Sequence, residues 1–115
     1  MKRDIYILTP KNSRVSEVYE SLVAAGARVA LVVCNERKLI GVCTQGDLIR
    51  LKSRLGHSSV LTAMNTNFIY AKSSESREDL LRRVVDDNLT VLPVLNSEGA
   101  LLEVVTPWKL LKQSL

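Results

Sequence analysis

Gly41-Val42-Cys43-Thr44-Gln45-Gly46-Asp47-Leu48 decides how this chain is read, because the chain writes the stretch twice. Adding 62 to each number (41 + 62 = 103) gives Glu103-Val104-Val105-Thr106-Pro107-Trp108-Lys109-Leu110. In both copies an apolar, β-prone run leads into a threonine and a helix-prone run leaves it. The threonine returns as Thr106, whereas Glu103 replaces the glycine and Lys109 the aspartate. The pairs Val29/Val91, Val32/Val94, Leu39/Leu101, Val42/Val104 and Leu48/Leu110 are identical at the same offset, without a gap.

Each copy extends upstream from its threonine in the same order. Val29 to Cys34 is a nearly unbroken apolar run, the pattern of a strand buried on both faces. Asn35-Glu36-Arg37-Lys38 makes a polar turn, and Leu39 to Cys43 returns as a second strand. Closing that four-residue loop predicts Cys34 opposite Leu39 and Ala30 opposite Cys43, so the two cysteines are not cross-strand partners. Before these strands, Val15, Val18, Tyr19, Leu22 and Val23 recur at the spacing of a core-facing helical stripe. Asn12 or Ser13 can cap that helix, and Gly26 is placed to end it in a left-handed turn. A leading strand, Ile5 to Leu8, stops at Thr9-Pro10, because proline cannot continue a ladder. A helix from Gln45 to Leu51 completes the first copy.

The second copy reads likewise. Phe68-Ile69-Tyr70 is the leading strand, and Ser76 with Asp79 is a capping-box pattern. Leu80, Leu81, Val84 and Val85 form the stripe, and Asn88 stands where Gly26 stood. Thr90 to Leu95 and Leu101 to Val105 are the strands around the turn at Asn96 to Gly99. Pro107 opens a last helix ending near Lys112. These spans predict an α+β fold of two β-α-β-β-α units, residues 1–52 and 67–115, joined by a weakly patterned connection at 53–66. One unit buries too little alone, so the two are expected to pack through small mixed sheets about a pseudo-twofold axis, leaving two clefts between them.

Composition excludes several classes. Of the 115 residues 46% are hydrophobic and 24% charged, an ordinary globular balance. No apolar run reaches the roughly 18 residues that span a bilayer, and no cleavable leader is evident, so cytoplasm is expected. Cys34 and Cys43 have neither metal-ligand spacing nor a disulfide framework and read as reduced thiols in apolar strands. The net charge of +4 comes with only 4% aromatics. The densest basic run, Arg50-Leu51-Lys52-Ser53-Arg54, therefore reads as a solvated helix face that attracts small anions rather than a nucleic-acid surface. The lone histidine, His57, has no partner set, and neither a metal cluster nor a Walker-type loop is present. The chain is not expected to be an enzyme by itself, nor to need a cofactor.

With these residues in view, the sequence resembles a pair of cystathionine-β-synthase-type (CBS) domains, also called a Bateman module. The likeness rests on the two-copy layout, on Leu92-Pro93-Val94 before a turn, and on the Gly41-x-x-Thr44-x-x-Asp47 motif. Within that family, Leu39 to Arg50 with Met64-Asn65-Thr66-Asn67 looks most like the CBS pair N-terminal to bacterial sugar-nucleotidyltransferase domains. It departs from their pattern at Gln45, which replaces an acid, and keeps one arginine of a pair at Arg50. The resemblance implies a regulatory module that binds an adenine nucleotide or related nucleoside (AMP, ADP, ATP or S-adenosylmethionine), pairs into a homodimer and modulates an attached or partner catalytic domain. It makes Asp47 the ribose contact. Thr44 and the amides at the helix start, including that of Gln45, face phosphate, and Arg50 or Lys52 neutralises charge if that helix face looks into the cleft. The base packs near Ile69, Tyr70, Thr90 and Val91. Lys109 cannot accept from ribose hydroxyls, so the second cleft is expected not to hold a nucleoside, though an anion on Lys109 stays open.

A plainer reading stands beside this one. Thr44 followed by Asp47 three residues later also satisfies a capping box, and Thr106-Pro107 is a good cap without any aspartate. On that reading the chain is a ligand-free dimerisation or scaffold module. A nucleic-acid-binding face at Arg50 to Arg54 is the third alternative.

Overall fold

A computed structural model describes residues 5–107 of the chain, which divides into two compact units, the first ending at Phe68 and the second beginning at Ile69. The first unit holds β1 (Tyr6–Pro10), α1 (Val15–Ala25), β2 (Val29–Val33), β3 (Leu39–Thr44) and α2 (Gln45–Leu55). The second holds β4 (Ala71–Lys72), α3 (Arg77–Asp86), β5 (Leu92–Leu95) and β6 (Leu101–Val105). Each unit carries one three-stranded mixed sheet in sequence order, its first pair parallel and its second antiparallel. The α+β layout read from the repeat is thus the observed one. The expected last helix lies outside the described residues beyond Pro107.

The two sheets repeat each other rung by rung. Thr9 and Pro10 oppose Val32 and Val33; 62 residues on, Ala71 and Lys72 oppose Val94 and Leu95. Ala30 faces Cys43 as expected, but Leu39 faces Val33 rather than Cys34. A bulge between Val32 and Val33 shifts the register by one residue, and the same bulge lies between Val94 and Leu95. Loop length alone did not reveal it, because the extra residue is absorbed inside the ladder. β1 also runs through Pro10 instead of stopping before it. It is an edge strand, where the missing N–H removes no ladder bond. In the second unit only two rungs form at Ala71–Lys72, so Phe68, Ile69 and Tyr70 precede the strand rather than compose it. Likewise Thr90 and Val91 lie ahead of β5.

The helices follow their stripes with one systematic exception. Val15, Val18 and Leu22 of α1, and Leu80 and Val84 of α3, are buried. Burying each such side chain contributes roughly 1.5–3 kcal/mol. Val23 and its counterpart Val85 are instead 52% and 66% exposed. Five apolar positions on α1 and four on α3 make a wider arc than one small sheet covers. Both helices end in the same left-handed turn. Gly26 has φ 67° and Asn88 φ 52°. The Ala27 amide donates to Leu22 O (2.9 Å), and the Leu89 amide to Val84 O (3.0 Å).

The starts of the two helices differ. α3 is capped as read, Ser76 Oγ accepting from the Asp79 amide at 3.1 Å. α1 begins at Val15 with Arg14 as its cap, not Asn12 or Ser13; the Arg14 side chain makes no cap bond, and Glu17 Oε1 accepts from the Arg14 amide at 2.9 Å. Its first amides are met by the connection: Val15 N–H donates to Ser58 O (2.9 Å) and Ser16 N–H to Gly56 O (3.0 Å). The connection is therefore part of the first unit. Val60, in a 3-10 turn at Val60–Thr62, is fully buried in its core. Asn65 makes two backbone bonds to Val42 on β3, at 2.8 and 3.0 Å. α2 is longer than read, reaching Leu55.

Candidate functional site

Thr44 ends β3 and caps α2, and the junction closes on itself. The Asp47 amide donates to Thr44 Oγ1 (3.2 Å), and the Thr44 amide to Asp47 Oδ2 (3.3 Å), a reciprocal capping box. Arg50, one turn on, donates to Asp47 Oδ1 at 2.5 Å. Burial alone pushes the Asp47 carboxyl upward, but the Thr44 and Arg50 hydrogen bonds outweigh it and hold the group below its usual value. The result is an anionic acceptor at a helix start, with 34% of its side chain exposed. Behind it, fully buried Cys43 is pushed up to about 11, by burial first and by the Asp47 charge second. That thiol is chemically quiet. Both cysteines are free.

The helix start offers less to an anion than its sequence implies. Gln45 N–H donates to Arg28 O at 2.9 Å and Asp47 N–H is taken by Thr44. Two of the amides expected to face phosphate already have partners. Sequence alone could not reveal this, since Arg28 lies just before β2 and meets Gln45 only through the pairing of β2 with β3.

Asp47 and Arg50 line one wall of a groove of about 510 Å³, shared with Leu51, Arg54, Met64 and Asn65. Arg50 is 76% exposed and Arg54 is exposed as well. Arg54, Met64 and Asn65 were not among the expected site residues. For Arg54 the signal lay in the i, i+3, i+7 spacing of Asp47, Arg50 and Arg54, which places all three on one helix face; Met64 and Asn65 carry no such periodic signal. The glycine of the motif proves structural. A Cβ on Gly41 would overlap the Met64 side chain, lying 2.7 Å from Cγ and 2.9 Å from Cβ. The connection crosses β3 there, which accounts for Gly41 without a ligand.

The other expected residues sit in the second unit. Ile69 and Tyr70, 51% and 43% exposed, precede β4, while exposed Thr90 and half-buried Val91 precede its parallel neighbour β5. The four thus flank the leading ends of one strand pair. Glu103, at the position of Gly41, forms a two-armed ion pair with Arg77 at 2.6 and 3.2 Å. Lys109 lies outside the described residues. A second groove, of about 490 Å³, opens where β1 and β2 end, beside Leu8, Lys11, Asn12 and Cys34. Among the described residues no group of three or more His, Cys, Asp or Glu could hold a metal, and no helix is long and apolar enough to cross a membrane.

The CBS domain family model matches residues 1–54 and again 58–115. The magnesium transporter MgtE of Thermus thermophilus is 35% identical over 75 residues, which is 65% of this chain and 16% of the transporter. Among solved structures, the cytosolic domain of the Mg2+ channel MgtE in complex with ATP has a TM-score of 0.74 at 29% identity, covering 94% of this chain and 44% of that one. CBSX2 in complex with AMP has a TM-score of 0.77 at 21% identity, covering 93% and 85%, a likeness of fold. The chain thus spans a small part of the transporter and under half of the cytosolic-domain chain.

Proposed function

The chain belongs to the CBS domain family as a tandem pair, and from that premise we propose that it is a regulatory module binding an adenine nucleotide at Asp47. The observation that carries the reading is the Asp47 carboxylate, held ionised and partly exposed in the wall of an arginine-lined groove. Such a carboxylate accepts hydrogen bonds from both vicinal hydroxyls of a ribose, and Arg50 supplies positive charge beside it. Structural neighbours in complex with ATP and with AMP support the ligand class. Thr44 and Gln45 position the helix start. The resemblance assigns the base to Ile69, Tyr70, Thr90 and Val91. The module acts in the cytoplasm, has no catalysis of its own, forms a homodimer, and passes occupancy to a domain of its parent chain or to a partner. The likeness of Leu39 to Arg50 to sugar-nucleotidyltransferase modules supports such an enzyme as that domain. The identity with MgtE supports a magnesium transporter instead. S-adenosylmethionine remains an alternative ligand.

A second reading, a ligand-free scaffold, is favoured by the closure of Thr44 and Asp47 on each other. Isothermal titration with AMP, ADP, ATP, GTP, CTP and S-adenosylmethionine separates the two. Saturable binding of adenine nucleotides is expected. Asp47→Asn should weaken it about 10–100-fold, the worth of a charge-assisted bond, with melting little changed because an amide oxygen can still accept from Thr44. Absence of heat with every ligand, on folded protein, overturns the nucleotide reading and leaves the scaffold.

A further inference from the structure

The groove beside Asp47 runs along α2, and its chemistry changes along its length. Asp47 stands at the start of the helix, Arg50 one turn on and Arg54 one further turn on, all lining the same groove. Seven residues separate the first from the last, ~10.5 Å at 1.5 Å rise per residue. A hydrogen-bond acceptor is thus followed by two guanidinium groups in a line. Opposite them lie the apolar Met64 side chain and Asn65 of the connection. Arg50 uses one nitrogen on Asp47 and is otherwise exposed, while Arg54 has no ion pair among the described residues.

Resting on the nucleotide reading above, we infer that this groove is a polyphosphate track, which makes the ligand a nucleoside di- or triphosphate rather than a monophosphate or S-adenosylmethionine. The order of groups matches the order in such a ligand: hydroxyls on the carboxylate, then successive phosphates on Arg50 and Arg54. A monophosphate ends at Arg50 and leaves Arg54 idle. S-adenosylmethionine carries no phosphate and presents cationic centres to two arginines. The helix start is a poorer phosphate site, because the Gln45 and Asp47 amides already have acceptors in Arg28 and Thr44. With two arginines and one carboxylate the groove is net cationic, and engaging Asp47 with hydroxyls keeps its charge from the phosphates.

The test compares AMP, ADP, ATP and inorganic tripolyphosphate by isothermal titration in EDTA. The wild-type chain is set beside Arg54→Ala and Lys11→Ala, the latter removing equal charge at the other groove. Affinity is expected to rise from AMP to ATP by at least tenfold. Arg54→Ala should lower ATP affinity about 10–100-fold, the range of one charge-assisted contact, and leave AMP within twofold. Lys11→Ala should preserve the ATP-to-AMP ratio. Tripolyphosphate, which lacks the ribose for Asp47, should compete with both nucleotides through Arg50, and Arg54→Ala should weaken tripolyphosphate as it weakens ATP. AMP binding as tightly as ATP, or Arg54→Ala weakening both alike, overturns the track while leaving a nucleotide site at Asp47. Folded protein that binds none of the nucleotides overturns both.

Discussion

The two units share a sheet register down to the bulge, yet they solve two local problems in opposite ways. One problem is the pair of positions 15 and 41, repeated at 77 and 103. In the first unit Val15 is buried in the core and Gly41 lies beneath Met64. In the second, Arg77 and Glu103 occupy the same places as an ion pair at the surface. The other problem is how the segment leading into the first helix is held. The connection does this in the first unit, through the carbonyls of Gly56 and Ser58 and the buried side chain of Val60. In the second, Arg83 bridges Glu75 (3.0 Å) and the Tyr70 carbonyl (2.9 Å), while Glu75 accepts from the Lys72 amide at 2.6 Å. A duplicated frame therefore tolerates either backbone and apolar contacts or side-chain charge at the same place. The arginine-lined groove exists where the connection was chosen, since Met64 and Asn65 form its far wall.

Exchanging residues between the copies tests that contrast. Gly41→Glu, which writes the second copy's residue into the first, must displace Met64 and the Asn65 bridge. It should cost about 3 kcal/mol in urea unfolding, at the upper end of overpacking effects, and should abolish the groove's nucleotide affinity. The reciprocal Glu103→Gly loses a half-exposed ion pair and should cost about 1 kcal/mol. Equal costs would mean that the connection does not brace the first unit.

Arg83→Ala should destabilise the second unit by about 1–2 kcal/mol, removing the guanidinium donor from the Tyr70 carbonyl and from Glu75. It should also alter the acid limb of stability. The Lys72 amide, opposed by burial and aided by Arg83, holds the Glu75 carboxyl below its ordinary 4.5. A depressed carboxyl contributes stability that is complete above its unfolded value and is lost as pH falls through the lower folded value. The wild type should therefore weaken below about pH 4.5, and Arg83→Ala more shallowly. An unchanged slope on acid titration followed by circular dichroism would remove Arg83 from this account.

The smallest effect concerns the matched helix ends. Gly26→Ala places a Cβ at φ 67° and should cost about 1 kcal/mol, whereas Asn88→Gly at φ 52° should stabilise by a few tenths. Thermal melting resolves the sign. A stabilising Gly26→Ala would mean that the two turns are not equivalent.

What could be read in advance was whatever depends on local chemistry repeated at a fixed spacing. The turn residues Gly26 and Asn88, the cap at Ser76, the pairing of Ala30 with Cys43 and the capping box at Thr44 all follow from neighbours in the chain. The CBS pair was legible for the same reason, as two copies of one pattern. Position 60 shows the limit. Val60 sits in a stretch with no periodicity, so nothing in its neighbours marks it as core, yet it is fully buried once the connection folds back on α1.

The sequence by itself determined two strand–helix–strand–strand units and a Gly-x-x-Thr-x-x-Asp motif complete in only one of them, because periodicity and residue type are properties of the chain. Tertiary structure alone decided that Gly41 makes room for Met64, that Arg28 takes the Gln45 amide, and that Met64 and Asn65 share a groove with Asp47. Each of these joins segments far apart in the chain. Which groups meet there depends on sheet register and on the path of the connection, and neither leaves a periodic mark on the residues involved.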